Sequence, residues 1–276
     1  MTNKRAVDKF FRIFAAATAA LLFAACATDE ARRVPAGESA GFPLFSLNEV
    51  SVLECDPQKP ELKIRVELAY VRDSENPEAA RRVNGEILRA ALPAREGGKK
   101  YDAADGIAAG VERYVADEVA AYQATWTEIF GDWGHSAGSE NAISVAGAPR
   151  RVEGDLLVYE IRVVQDLGGA HPSHATKVLN FDLKTGRRLT LKDVFKPGFE
   201  PALEAVLARK AAAKGSVPAS GFPKPAPHEN FALDADGVAF VFNPYEIAPY
   251  SSGEITLKAL YSEIREWLLA PPETAK

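Results

Sequence analysis

The chain of 276 residues is 47% hydrophobic and 26% charged, proportions that call for a packed core and exclude a disordered or collagen-like polymer. Its formal net charge of −5 favours cationic partners and argues against nucleic acid, whose phosphates need a basic surface.

The first stretch differs from the rest. Lys4, Arg5, Lys9 and Arg12 precede the apolar run "IFAAATAALLFAAC", the layout of a secretory signal over residues 1–25 rather than of a spanning helix. Leu22, Phe23, Ala24 and Ala25 ahead of Cys26 resemble the lipobox of bacterial lipoproteins, with Phe23 standing where leucine is usual. This resemblance implies lipidation at Cys26 and an extracytoplasmic, membrane-anchored protein. An ordinary signal peptide cut nearby is the alternative. Cys55 is the other cysteine, so no disulfide is expected after lipidation and the core must supply the stability. Residues 26–43, "CATDEARRVPAGESAGFP", lack an apolar period and read as a tether.

Structure is expected from Leu44. In "ELKIRVELAYV", Leu62, Ile64, Val66, Leu68 and Tyr70 alternate with Lys63, Arg65, Glu67, Ala69 and Val71, the period of a half-buried strand, and "DPQKP" before it predicts a hairpin with "EVSVLEC". "NPEAARRVNGEILRAAL" predicts a helix with Asn76 as cap, Pro77 at its first position, and Ala79, Val83, Ile87 and Leu88 on one face. A second helix carries Ile107, Val111, Tyr114, Val115, Val119, Tyr122, Trp126 and Ile129 at helical spacing. Beyond "GDWGHSAGSEN" come the strands "AISVAG", "DLLVYEIRVVQ" and "ATKVLNFDL", then a tight turn at Thr185-Gly186. Glu200-Pro201 opens a third helix with Leu203, Val206 and Leu207 inward, followed by the proline-rich loop "KGSVPASGFPKPAPHEN". "NFALDADGVAFVFN" reads as a hairpin turning at Asp236-Gly237. After the loop "FNPYEIAPYSSGEI", which runs into the strand-like "EITL", a closing helix is expected with Leu257, Leu260, Ile264, Trp267 and Leu268 inward.

Strands and helices fall in groups rather than in alternating βαβ units. The fold class is therefore α+β, with mostly antiparallel sheets, helices packed on one face, and two intimately associated subdomains over 44–140 and 141–270.

Three stretches carry a resemblance: "LGGAHPSHATKVLNFDLKTGRRLTLKDVF", "FALDADGVAFVFNPYEIAPYSSGEITLKALYSEIREWL" and, more loosely, "IRVELAYVRD" with "ARRVNGEIL". They resemble the RsiV/PdaC-like extracytoplasmic domain family, in which a PdaC-type domain precedes a domain of unknown function. The runs Gly168-Gly169-Ala170-His171 and Pro244-Tyr245-Glu246-Ile247-Ala248-Pro249-Tyr250 are its most specific marks. The resemblance implies a two-part extracytoplasmic module whose best-understood member binds lysozyme. A lipid-anchored chain without a cytoplasmic segment is not expected to hold a sigma factor, and a chain with four histidines is not expected to supply the aspartate pair and spaced histidines of a deacetylase metal site.

The residues themselves point the same way. His171 and His174 form H-x-x-H on a Gly- and Pro-broken stretch, where spacing does not place both rings on one helical face as a zinc site requires, so no metal or cofactor is assigned. No G-x-S-x-G motif occurs, and a carboxylate pair for glycan hydrolysis among Asp166, Glu246 and Glu254 is no better than chance. Tyr245 and Tyr250 are large, stiff, polar-tipped rings, and Pro244 and Pro249 restrict the backbone beside them. A structural lock at the hairpin end is the alternative use for either ring. Partner-binding candidates are Tyr245, Glu246, Pro249, Tyr250, Gly169 and His171, with Glu246 available to an arginine. Three functions follow in order: capture of a lysozyme-like basic protein, binding of peptidoglycan, and hydrolysis of cell-wall glycan.

Overall fold

A computed structural model describes residues 44–51, 62–72, 76–92, 101–130, 141–167, 170–215 and 218–269, with backbone alone at 44–51, 123 and 125–130. Six strands stand side by side in chain order: β1 (Leu44–Ser51), β2 (Leu62–Ala69), β3 (Asn141–Glu153), β4 (Leu156–Asp166), β5 (Ser173–Asp182) and β6 (Arg187–Leu189). A second sheet holds β7 (Phe231–Leu233), β8 (Gly237–Phe242) and β9 (Ile255–Leu260). Every neighbouring pair is antiparallel except β2 and β3, which run parallel. A parallel pair needs a long crossover, and here it carries α1 (Pro77–Ala91) and α2 (Ile107–Phe130). The fold is thus α+β and mostly antiparallel. The expected boundary at residue 140 falls between β2 and β3, which are hydrogen-bonded neighbours.

Local chemistry explains these elements. The Asn76 side chain accepts the Ala79 N–H at 3.1 Å and Pro77 opens α1, leaving Ala79, Val83, Ile87 and Leu88 buried on one face. They pack with Val111 and Tyr114 of α2 against Ile64, Val66, Val145, Tyr159, Ile161 and Phe181 of the sheet. Tyr159 fits because Gly147, diagonal to it on the neighbouring strand, has no side chain: a Cβ there would lie 2.8 Å from the phenol oxygen. The hydroxyl donates to the Ala69 carbonyl at 2.6 Å, and burial raises its pKa far above the ordinary phenol value. The β5–β6 turn reaches the start of α1, where Gly186 (φ +71°) sits so close that a Cβ would come within 2.5 Å of the Ala79 carbonyl.

The opposite face of β4 and β5 supplies a second core. Val158 and Val178 join Phe231, Phe240 and Leu257 of the second sheet and Leu203, Val206 and Leu207 of α4 (Glu200–Ala213). Between the sheets the joint is made by side chains. Asn180 donates to the Phe231 carbonyl at 2.8 Å and accepts the Leu233 N–H at 3.0 Å. Asn230 accepts the Val178 N–H at 2.7 Å and donates to the carbonyls of Thr176 (2.9 Å) and Val241 (2.8 Å). Asn243 accepts the Thr176 N–H at 2.7 Å and donates back to its carbonyl at 3.2 Å. β6 pairs with β5 only at 180–182, so these amides supply partners that a strand would otherwise provide.

Two expectations need correction. The strand-like "EITL" continues as a strand over residues 255–260, so Leu257 and Leu260 do not belong to a closing helix: Ile255, Leu257 and Ala259 alternate inward and pair with β8, because the open edge of β8 offers a ladder that local helical spacing cannot match. Helix is confined to the four residues of α5 (Tyr261–Ile264), followed by a 3-10 turn over Arg265–Trp267. The β7–β8 turn occupies 234–236, and Gly237 already belongs to β8. A short helix, α3 (Leu191–Val194), was not anticipated. It is capped by Asp193, whose carboxylate accepts the Thr190 N–H and hydroxyl, both at 2.8 Å.

Candidate functional site

The β8–β9 loop, residues 243–254, begins at Asn243 of the joint. Its first turn is closed by the Glu246 N–H donating to the Asn243 carbonyl (3.1 Å) and the Tyr245 N–H to the Ala248 carbonyl (3.0 Å). One Glu246 carboxylate oxygen accepts the Asn243 N–H at 2.9 Å. Ile247 and Ala248 point inward and are buried in the second core. Tyr245 is pushed the other way. It has φ 72°, the one non-glycine residue with positive φ among those described, and it is 58% exposed. A left-handed backbone costs a non-glycine residue about 1 kcal/mol, and the loop's hydrogen bonds and its buried Ile247 hold it there.

After Pro249 the chain makes a 3-10 turn over Tyr250–Ser252, ended by Gly253 at φ +64°. Tyr250 reaches across to the β4–β5 loop of the first sheet. Its ring stacks on His171 with centroids 3.7 Å apart and planes 17° apart. Its hydroxyl donates to the Pro172 carbonyl at 2.6 Å and lies 3.4 Å from His174 Nδ1. The Tyr245 hydroxyl is 3.3 Å from His171 Nε2, and the two tyrosine rings are 5.9 Å apart. One exposed rim therefore draws its rings from both sheets. Burial lowers the pKa of His174, aided by the charges of Arg162 and His171 and opposed by Glu254, so this ring is neutral at pH 7.

Of the predicted residues, Tyr245, Glu246, Pro249, Tyr250 and His171 come together here. Gly168, Gly169, Cys26, Cys55, the signal and the tether lie outside the described residues. The tyrosines divide the labour: Tyr250 is half-buried and bonded, while Tyr245 presents its face to solvent. Sequence reasoning missed Pro172, Asn230 and Asn243. Asn243-Pro244 is a turn signal, but nothing in the sequence links it to Thr176. Chemically the rim offers flat aromatic faces, one exposed carboxylate at Glu246 and another at Glu254. His171 Nε2 and His174 Nδ1 face tyrosine hydroxyls, and His171 Nδ1 lies 3.1 Å from the Pro172 carbonyl.

Residues 192–262, from α3 through β9 and including the whole β8–β9 loop, match the family described as "Protein of unknown function (DUF3298)". Over these residues the chain is similar to that family. A solved DUF3298 protein of Bacteroides fragilis superposes with a TM-score of 0.71 at 27% identity, over 84% of this chain and 94% of that one. A DUF3298 protein of Pseudomonas aeruginosa shares the fold, with a TM-score of 0.52 at 21% identity, over 82% and 94%. A Mycobacterium tuberculosis protein named as an esterase is 34% identical over 95 residues, 32% of this chain and 42% of its own length. The immunogenic protein MPT64 of the same species is 27% identical over 99 residues, 34% and 43% of the two lengths. The chain thus spans less than half the length of these curated relatives. The DUF3298 match supplies Tyr245, Glu246, Pro249 and Tyr250, and the β4–β5 loop outside it supplies His171.

Proposed function

We propose that the chain is a non-catalytic, lipid-anchored protein of the cell envelope that captures a basic, wall-active protein such as lysozyme on the rim formed by Tyr245, Tyr250 and His171. The observation that carries this reading is Tyr245, held out at a left-handed backbone angle with most of its surface in solvent. Exposed strain of this kind is retained where a surface is used. A pre-positioned tyrosine loses little freedom on docking, and the carboxylates of Glu246 and Glu254 beside it suit an arginine or lysine of a basic partner. The signal-like leader with Cys26 and the likeness to RsiV/PdaC-type modules support the envelope setting.

The test is binding of lysozyme to the mature chain across a salt series. Capture that weakens as salt rises supports the reading, because rim charges are screened. Retention on purified cell wall with no lysozyme binding would favour peptidoglycan as the ligand instead. Radiolabelled palmitate incorporation that disappears in Cys26→Ser tests the anchor. Ester hydrolysis is a second reading, favoured by the esterase-named relative. It predicts release of a chromogenic acyl ester's alcohol by the purified chain, and lysozyme capture without that release would leave it unsupported.

A further inference from the structure

The rim straddles the joint between the sheets, so whatever loosens the joint separates His171 from Tyr245 and Tyr250. Asn230 is the centre of that joint: its side chain makes three bonds and its backbone carbonyl accepts the Val241 N–H at 3.0 Å. Its remaining donor, the backbone N–H, goes to Nδ1 of His228 at 3.2 Å. That bond requires an unprotonated Nδ1 and therefore a neutral ring with its hydrogen on Nε2. Nε2 is buried and has no hydrogen-bond partner among the described residues, while the ring packs edge-on to Phe242 at 4.6 Å and Phe240 at 5.8 Å.

We infer that His228 is a proton-sensitive lock on the joint: protonation sets an Nδ1–H against the Asn230 N–H, breaks that bond, and frees Asn230 from β5 and β8. The effect on partner capture rests on the reading proposed above; the lock itself does not. β8 faces His228 with uncharged phenylalanines. Glu246 of the β8–β9 loop favours the charged ring, and Glu229, next in the chain, directs its carboxylate to the Leu191 N–H at 3.3 Å. Burial outweighs Glu246, and the pKa of His228 is lowered from its ordinary value of 6.5. A depressed histidine takes up its proton more readily in the unfolded or opened state, so stability of the joint is full above pH 6.5 and falls as pH drops below it, towards the folded value.

His228→Asn separates this lock from His171 and His174 at the rim. Asparagine Oδ1 stands where His228 Nδ1 stands and accepts an N–H two residues on, as in an Asx turn, but it cannot titrate. Hydrogen exchange of the Val178 and Val241 amides, corrected for intrinsic rate, is compared at about pH 7.5 and about pH 5.5 in the full chain. The wild type is expected to lose protection on acidification, with about tenfold the ceiling that a histidine of ordinary pKa in the opened state allows, and His228→Asn to lose none. Unchanged protection in the wild type, or an equal loss in the variant, overturns the lock. Should the variant fail to fold, NMR titration of the wild type decides. The Asn230 amide and the His228 Cε1–H should shift with one midpoint below 6.5, and an Asn230 amide that ignores that midpoint overturns it. If exchange follows the lock but lysozyme binds at neither pH, the functional reading fails and the lock stands.

Discussion

The rings of His171 and Tyr250 lie parallel with centroids 3.7 Å apart, although they come from different sheets. The stack and the 2.6 Å bond from Tyr250 to the Pro172 carbonyl pin the β4–β5 loop against the β8–β9 loop. Tyr250→Phe keeps the ring and loses the bond, so thermal denaturation should report a loss of about 1 kcal/mol. Tyr250→Ala also forfeits the stack and should cost roughly 1 kcal/mol more.

Tyr245 should behave in the opposite way. Glycine tolerates its φ of 72° without strain, at some cost in unfolded-chain entropy. Tyr245→Gly is expected to leave the melting temperature unchanged or higher while weakening partner capture at least about tenfold, the scale of one lost aromatic anchor. Equal losses of stability and capture would assign Tyr245 to the framework.

Asn180 is 1% exposed and holds both Phe231 and Leu233 of β7. Asn180→Ala leaves a buried carbonyl and a buried N–H without partners. Urea denaturation should show a loss of about 2 kcal/mol or more.

Gly186→Ala tests the contact between the β5–β6 turn and α1. A methyl group meets the Ala79 backbone at a positive φ, so the turn or the helix end must shift. A loss of about 2 kcal/mol or more is expected from strain and displacement together, read as a lower melting temperature.

Asp193 sets an acid limit. Burial works against its charge, but the Thr190 N–H, the Arg187 guanidinium and the Thr190 hydroxyl more than offset this and hold its pKa below the ordinary 3.8. A depressed carboxylate contributes stability above pH 3.8 that is lost as pH falls through the folded value. Asp193→Asn should therefore be less stable than wild type at pH 7, by about 1 kcal/mol, and the two should converge in strong acid.

Much of the fold was legible where a local rule acts alone. Asn76 and Pro77 mark the start of α1, and the alternation of Leu157, Tyr159, Ile161 and Val163 marks β4. Residues 255–268 misled because Leu257, Leu260 and Ile264 satisfy a helical spacing, while the choice is made by pairing with β8. The site was legible in part. The prolines and tyrosines of the β8–β9 loop announce an unusual loop, and the left-handed angle of Tyr245 gives it physical meaning. The partners of that loop, Pro172 and Thr176, could not be read, since a contact between distant segments leaves no local trace. The parallel pairing of β2 with β3 was hidden for the same reason.

That pairing also fixes an order of assembly. β3, β4, β5 and β6 form a meander of short turns, whose ends meet cheaply and early. β2 reaches β3 only across the long connection that carries α1 and α2, so by loop-closure entropy this contact is expected to close after the local β1–β2 hairpin and the β3–β6 meander. A newly made chain halted at that stage would display the bare flank of β3, a ready template for mispairing with another nascent copy.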